Sequence, residues 1–498
     1  MDVNVLERAA DTLGSDRSRY YILASFIGLV FLMGGASRPD VLSLLLLRPL
    51  SILVLGFALW AYSRAKLRPD ALLIMLSCFL LLHIAQLIPL PRSMWAALPQ
   101  RHVFASIGRA VGMHDIARPL TLSPATTLNS LFSLATPLAV ALLLATLHPA
   151  DRRRVLRGLL LLTAASGVVG MLQIAGGVGN DFYLYQVTND DSAVGLFANR
   201  NHQALFLACS IALAIWSIRL RLPLPHHISA LAGCVFDIAL IAVSVVLLMQ
   251  IGSRAGLIFG ACALGCGTVL MLWTIPGKPG RRHSGRRGAA RFWLVSAAAG
   301  LFLLGLIGFT VAMSRDASLQ RFFSLAPGDE IRGNTLPVLL SMARAYFPFG
   351  SGFGTFSSAY KAVEPAALLS PLYLNEAHND FIQLVIEGGA AAAILLVAFL
   401  VWVVRIVVKA NVRAWRGRSL AAPILTLMVL FFAASSGVDY PLRVPSLMLV
   451  FIILLRSLED LAAGEAGSGA SKPRSQSRFT TRARLSIVGA SGQFSPDQ

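Results

Sequence analysis

The residues best suited to chemistry lie in short polar motifs between long apolar runs. One motif, Glu376-Ala377-His378-Asn379-Asp380-Phe381, opens an apolar stretch that continues through Gln383 to Glu387-Gly388-Gly389. Asn379, Gln383 and Glu387 recur at i, i+4 and i+8, so on a helix they share one face. At ~1.5 Å of rise per residue that polar stripe descends about 12 Å. Lipid does not tolerate such a stripe, so it must face the protein interior or a wet cavity. His378 precedes this helix at the positive end of its dipole, a setting that favours neutral imidazole, the form able to take a proton. Arginines offer the complementary chemistry, because guanidinium forks bind phosphate oxygens in pairs. Arg200 lies in Gly195-Leu196-Phe197-Ala198-Asn199-Arg200-Asn201-His202, Arg254 in Gly252-Ser253-Arg254-Ala255-Gly256, Arg332 in a long connection and Arg443 in Asp439-Tyr440-Pro441-Leu442-Arg443. Arg254 is the most constrained, held in a very short connection among small neighbours that leave room for a ligand. The plainer alternatives are a cap for His378, and snorkelling or pairing with Asp439 or Glu387 for the arginines.

Other chemistries lack their residues. No GxxxxGK[ST], HExxH or GxSxG pattern occurs, so nucleotide, zinc or serine hydrolysis has no support. Cys78, Cys209, Cys234, Cys262 and Cys266 all sit inside apolar runs without CxxC spacing, which argues against a disulfide framework or a zinc site. No metal ligand set and no cofactor are expected. Asp237 and Arg48 lie within apolar runs, where a structural ion pair is favoured over an ion pathway.

The elements that must position these motifs follow from composition. The 498 residues are 56% hydrophobic and only 13% charged. Soluble domains run ~45–50% apolar and ~25% charged, so the excess must face lipid. This excludes an ordinary soluble enzyme, and the net charge of +19 is read as membrane topology, not nucleic-acid binding. Runs long enough to span a bilayer lie near 20–37, 42–62, 71–90, 129–147, 158–177, 203–218, 228–250, 255–274, 292–313, 381–404, 421–437 and 444–457. The expected fold is all-α: a polytopic transmembrane bundle of about twelve helices. Placing both ends in the cytoplasm collects Arg64, Lys66, Arg68, the Arg152-Arg153-Arg154 run, the arginines of 275–291, Lys409 and Arg413 on that side, as the positive-inside rule demands.

Three domains are expected: a cytoplasmic N-terminus over 1–19, the bundle over 20–457, and a Ser/Gly/Arg-rich disordered cytoplasmic tail over 458–498 that favours anionic lipid. The outer connections 91–128 and 314–380 are long, and the second sits between helices 9 and 10. At that length it is expected to fold in part, with a helix over 330–346 before the glycine-rich Pro348-Phe349-Gly350-Ser351-Gly352-Phe353-Gly354. The turn and its helix are candidates for a lid.

Taken in order, five motifs resemble the superfamily of O-antigen ligases and O-antigen polymerases. They are Gly195-x-Phe197-x-Asn199-x-Asn201, Ser253-Arg254-Ala255-Gly256, Pro348-Phe349-Gly350-x-Gly352-x-Gly354-x-Phe356, His378-Asn379-Asp380-Phe381 with Glu387-Gly388, and Asp439-Tyr440-Pro441-Leu442-Arg443. The resemblance covers about residues 190–450. It implies a bacterial inner-membrane glycosyltransferase, working at the periplasmic face without metal or nucleotide sugar. Its donor would be an undecaprenyl-pyrophosphate-linked glycan, and its acceptor another glycan or lipid A-core. His378 and Arg254 would be catalytic, with Arg200, Asn199, Arg332, Asn379 and Arg443 binding substrate. The motifs do not separate ligase from polymerase or from protein glycosylation, and the last motif tilts towards a polymerase. The rival reading is a secondary transporter of twelve helices, against which stands the absence of two similar halves. A pure scaffold would not need arginines and a histidine on one side.

Overall fold

A computed structural model of the chain describes residues 14–112, 116–222, 228–274, 327–369 and 374–464. The first part comprises α1 (Asp16–Met33), α2 (Leu44–Ala65), α3 (Ala71–Gln86), the short α4 (Arg92–Ala96) and α5 (His102–Ala110), then α6 (Pro124–Ser133) and α7 (Ala135–Thr146). Next come α8 (Pro149–Gly176), α9 (Arg200–Arg221), α10 (Ile228–Ile251) and α11 (Arg254–Trp273). After the undescribed stretch follow α12 (Pro327–Tyr346), α13 (Phe356–Lys361), α14 (Asp380–Gly417), α15 (Ala421–Ser436) and α16 (Pro445–Ala463). The one strand pairing among the described residues is a two-residue antiparallel ladder, Pro89–Leu90 with Arg118–Pro119. The protein is an all-α multi-pass membrane bundle: six of the described helices, and α6 with α7 taken end to end over Pro124–Thr146, are long and apolar enough to cross a bilayer, and α3 and α15 are shorter apolar helices.

Packing sorts these helices by what they face. The apolar window of α9 is 83% buried, whereas those of α2, α11 and α14 are 28%, 22% and 17% buried. α9 is therefore the centre of the described bundle, and the other three leave most of their surface uncovered by the described residues. Gly256 in the first turn of α11 permits this tight centre, since a Cβ there would stand 2.4 Å from the Cβ of Ala204 on α9. The main core draws on α1, α7, α9, α15 and α16, and a second, smaller cluster joins α12, α13 and the start of α14.

Several boundaries differ from the sequence reading. α8 begins at Pro149, so Arg152-Arg153-Arg154 form its first turns instead of a loop, and Arg152 pairs with Asp460 of α16 at 2.8 Å. The span expected at 129–147 is two consecutive helices, α6 and α7. The last helix runs past the expected end at 457 to Ala463, and the helix expected over 330–346 starts at Pro327. Asp237 forms the structural ion pair favoured for it, with Arg221. The span expected at 292–313, the basic 275–291 connection and the tail from 465 lie outside the described residues.

α14 is interrupted. Gly389 has φ 60° and ψ −148°, values open only to glycine, so two helical segments meet there at a kink. Backbone groups freed by the break are taken up by the glycine-rich turn. The N–H of Ser351 donates to the Ile386 carbonyl (2.9 Å), that of Gly352 to the Glu387 carbonyl (2.9 Å), and that of Ala390 to the Pro348 carbonyl (2.8 Å). Gln86, in the last turn of α3, completes the joint: its amide donates to the Glu387 carbonyl (2.9 Å) and accepts from the Phe353 N–H (2.8 Å). Irregular backbone at membrane depth is stable only when satisfied in this way. The turn expected as part of a lid is thus a buried wedge in a broken helix.

Candidate active site

Three helices begin at one end of the bundle, each behind a capping side chain. The Asn199 side chain accepts from the Asn201 N–H (2.8 Å), that of Ser253 from the Gly256 N–H (3.2 Å) and that of Asn379 from the Ile382 N–H (2.9 Å). Caps of this kind fix where a helix starts and orient its first N–H groups. Arg200 and Arg254 are the first helical residues of α9 and α11, and both are half-buried. The Gly256–Ala204 approach brings those two first turns together. Two guanidinium groups and two positive helix ends therefore lie in one neighbourhood, a setting suited to a polyanion.

His378 joins them through Asp439. Its Nδ1 lies 3.2 Å from Asp439 Oδ1. The Asp439 carboxylate also accepts from the Asn201 side-chain amide (2.9 Å) and from the Tyr440 N–H (3.0 Å). Asp439 is buried, while the His378 side chain keeps 21% exposure, so the histidine can reach a substrate and the carboxylate cannot. The Tyr440 ring packs edge-on between His378 and His202, with centroids 4.8 and 5.2 Å away. Burial, with Asp439 and Glu376 nearby, pushes the Tyr440 phenol well above its usual range, and its hydroxyl is held by Asn199 and Ser37. Tyr440 therefore stays neutral and serves as a spacer.

Behind the histidine lies a well of carboxylates. Arg443 meets Glu387 at 3.0 Å and both Glu376 and Asp380 at 3.5 Å. Burial works against its charge, yet Glu387, Glu376 and Asp380 together raise its pKa. Burial pushes the Glu376 carboxyl up to about 7, opposed by Arg443 and reinforced by Glu387. Glu387 also accepts from the Phe356 N–H at 3.2 Å and from Gln383 at 3.3 Å. The polar stripe read from sequence thus does face inward, with Gln383 and Glu387 almost fully buried.

Not every expected substrate contact has a free hand. Asn379 spends its oxygen on the cap and its amide on the Gly437 carbonyl (2.9 Å). Asn199 caps α9 and holds Tyr440. Arg443 is turned to three carboxylates. These three have framework partners, while the His378 side chain keeps partial exposure and Arg200 and Arg254 stand half-buried at the first turns of α9 and α11. Arg332 lies on α12, and its side chain is outside the described residues. From sequence, Asp439 stands only in a motif and as an arginine partner, and neither Gln86 nor His202 is singled out as a site residue. The signal for Asp439 was an acid in a short connection between apolar helices, and for Gln86 an amide in the last turn of an apolar helix.

Residues 238–397 match the family model described as O-antigen ligase. This segment contains Arg254, the glycine-rich turn, His378 and the broken part of α14, while Arg200 and Asp439 lie outside it. A search of curated proteins finds no match to the chain.

Proposed function

We propose, from the premise that residues 238–397 make this chain a member of the O-antigen ligase family, that it transfers or polymerises glycan from an undecaprenyl-pyrophosphate carrier. In this reading it works at the periplasmic face of the bacterial inner membrane, in surface polysaccharide synthesis. Ligase- or polymerase-like activity on a lipid-linked glycan belongs to the family; the carrier, the sidedness and the residue roles are our reading.

The observation that carries it is the His378–Asp439 contact beside the capped starts of α9 and α11. With Asp439 ionised, Nδ1 of His378 carries the proton and Nε2 is left to accept one. Nε2 takes the proton of the acceptor hydroxyl as its oxygen attacks the anomeric carbon of the donor sugar. The bond from that carbon to the pyrophosphate oxygen breaks, and its electron pair leaves with the lipid pyrophosphate. Arg254 and Arg200, with the N–H groups at their helix ends, stabilise the growing negative charge. Attack opposite the leaving group inverts the anomeric centre. Asp439, Asn379 and Arg443 position these groups without touching substrate.

Arginine substitutions test the donor site. Arg254→Lys keeps a charge but loses the paired fork, and Arg254→Ala loses both. Removing one such stabilising group costs about 10²–10³-fold in rate. We expect glycan transfer from purified lipid-linked donor to fall by that amount in the alanine variant, with strong impairment in the lysine variant and unchanged membrane levels of both. Full activity of Arg254→Ala would remove the pyrophosphate role.

A further inference from the structure

Two helices outside the bundle carry an apolar stripe that no part of the described protein covers. On α5, Val103 and Ile107 are exposed, with Val111 just beyond its end; on α12, Leu336 and Leu340 are exposed, with Phe347 just beyond. Each of the six has 42 to 65% of its surface exposed. The spacing of four or seven residues places each set along one side of its helix. One residue round from each stripe runs an exposed polar one: His102, Ser106 and Arg109 on α5, and Ser341 and Arg344 on α12. The third side of each helix is buried, at Gly108 on α5 and at Leu339, Met342 and Tyr346 on α12. Each helix therefore has three sides: one buried, one exposed and apolar, and one exposed and polar.

The two helices are held together. Arg101, at the start of α5, is fully buried and donates to the Leu120 and Gly350 carbonyls at 2.8 and 3.0 Å. Its guanidinium lies 5.9 Å from the Tyr346 ring centre at the end of α12. Gly350 belongs to the turn wedged into α14 beside Gln86, so the pair is anchored level with the outer ends of α3 and α14. From there the apolar surface is continuous with the lipid-facing side of the bundle, since Leu81, Ile84 and Ile88 are exposed on α3 and just past its end, followed by Met94 on α4.

We propose that α5 and α12 lie in the membrane interface on the side of the candidate active site, their apolar stripes inserted among the phospholipid acyl chains of that leaflet. Continuity with the lipid-facing surface of α3 selects lipid as the occupant, and the adjacent Arg109 and Arg344 stand where phosphate headgroups lie. The pair then fixes the depth of the wedge and of the broken helix relative to the bilayer surface.

Photo-crosslinking in lipid vesicles tests this directly. The full chain, reconstituted in phosphatidylethanolamine–phosphatidylglycerol vesicles, would carry p-benzoylphenylalanine at Ile107 or Leu340, or at the polar positions Ser106 or Ser341. Intact-protein mass spectrometry after illumination should show phospholipid adducts at Ile107 and Leu340, with the adduct lost at Ser106 and Ser341. Should a substituted protein fail to purify as a single species, Val103 and Leu336 test the same stripes. Crosslinks into residues 275–326, crosslinks to a second protein, absence of lipid adducts at the apolar positions, or equal labelling at all four would each overturn the proposal.

Discussion

His378 has φ 49°, a left-handed backbone that costs a non-glycine residue roughly 1–2 kcal/mol. Strain of this kind persists only where the surroundings over-determine it, and it clusters at functional sites. Here the determinants are Asn379, which caps α14, and Asp439, which holds the ring. Asp439→Asn should keep the fold but no longer hold the proton on Nδ1. We expect transfer to fall by on the order of 10²-fold or more with donor binding intact. Near-normal transfer would make Asp439 a purely structural residue. Glu376 yields a different measurement. Its folded pKa of about 7 lies above the ordinary 4.5, so folding favours its protonated form. That contribution is complete below pH 4.5 and is lost as pH rises through 7, a change of a few kcal/mol. Thermal stability in detergent should therefore decline between about pH 5 and pH 8, and Glu376→Gln should flatten the decline. An unchanged pH profile in the glutamine variant would show that Glu376 does not carry it.

At the scale of elements, the break in α14 joins the connection after α3 to the one after α12. Thr127 of α6 donates to the Phe353 carbonyl at 2.8 Å, the Leu122 N–H donates to the Ser351 carbonyl at 2.8 Å, and the turn closes the gap at Gly389. A Cβ at Gly389 would stand 2.1 Å from the Pro348 carbonyl oxygen, and its φ is unfavourable to any other residue. Gly389→Ala should thus destabilise the protein by roughly 1–3 kcal/mol, and thermal unfolding or protease resistance of the purified protein would measure it. A variant as stable as the parent would mean that the break is not fixed by this wedge. Much here was legible in the sequence: the i, i+4, i+8 stripe announced an inward polar face, and α12 was expected within a few residues of its observed start. The wedge was not legible, because Gln86 and Glu387 are some 300 positions apart and glycine content alone reads as flexibility. The His378–Asp439 contact was hidden for the same reason. Both residues stood in recognised motifs, but only the packing of α14 against the connection after α15 joins them.

For the molecule as a whole, apolar content points to a multi-pass bundle, and the motifs resemble the O-antigen ligase family whose model matches residues 238–397. Helix ends were less legible, because a span can extend into water on its own hydrogen bonds, as α8 does through its arginines. The broken helix and its acidic well would also suit a transporter. Yet the break is filled by the Gly350 turn, and the three capped helix starts surround a histidine–aspartate pair. The central claim is that this pair removes the acceptor proton. Its most direct test is transfer by His378→Gln, using purified lipid-linked glycan and a separate measurement of donor binding. Glutamine retains a hydrogen bond but cannot take the proton. The account predicts normal donor binding with transfer reduced about 10²–10⁴-fold; near-normal turnover in this variant would contradict it.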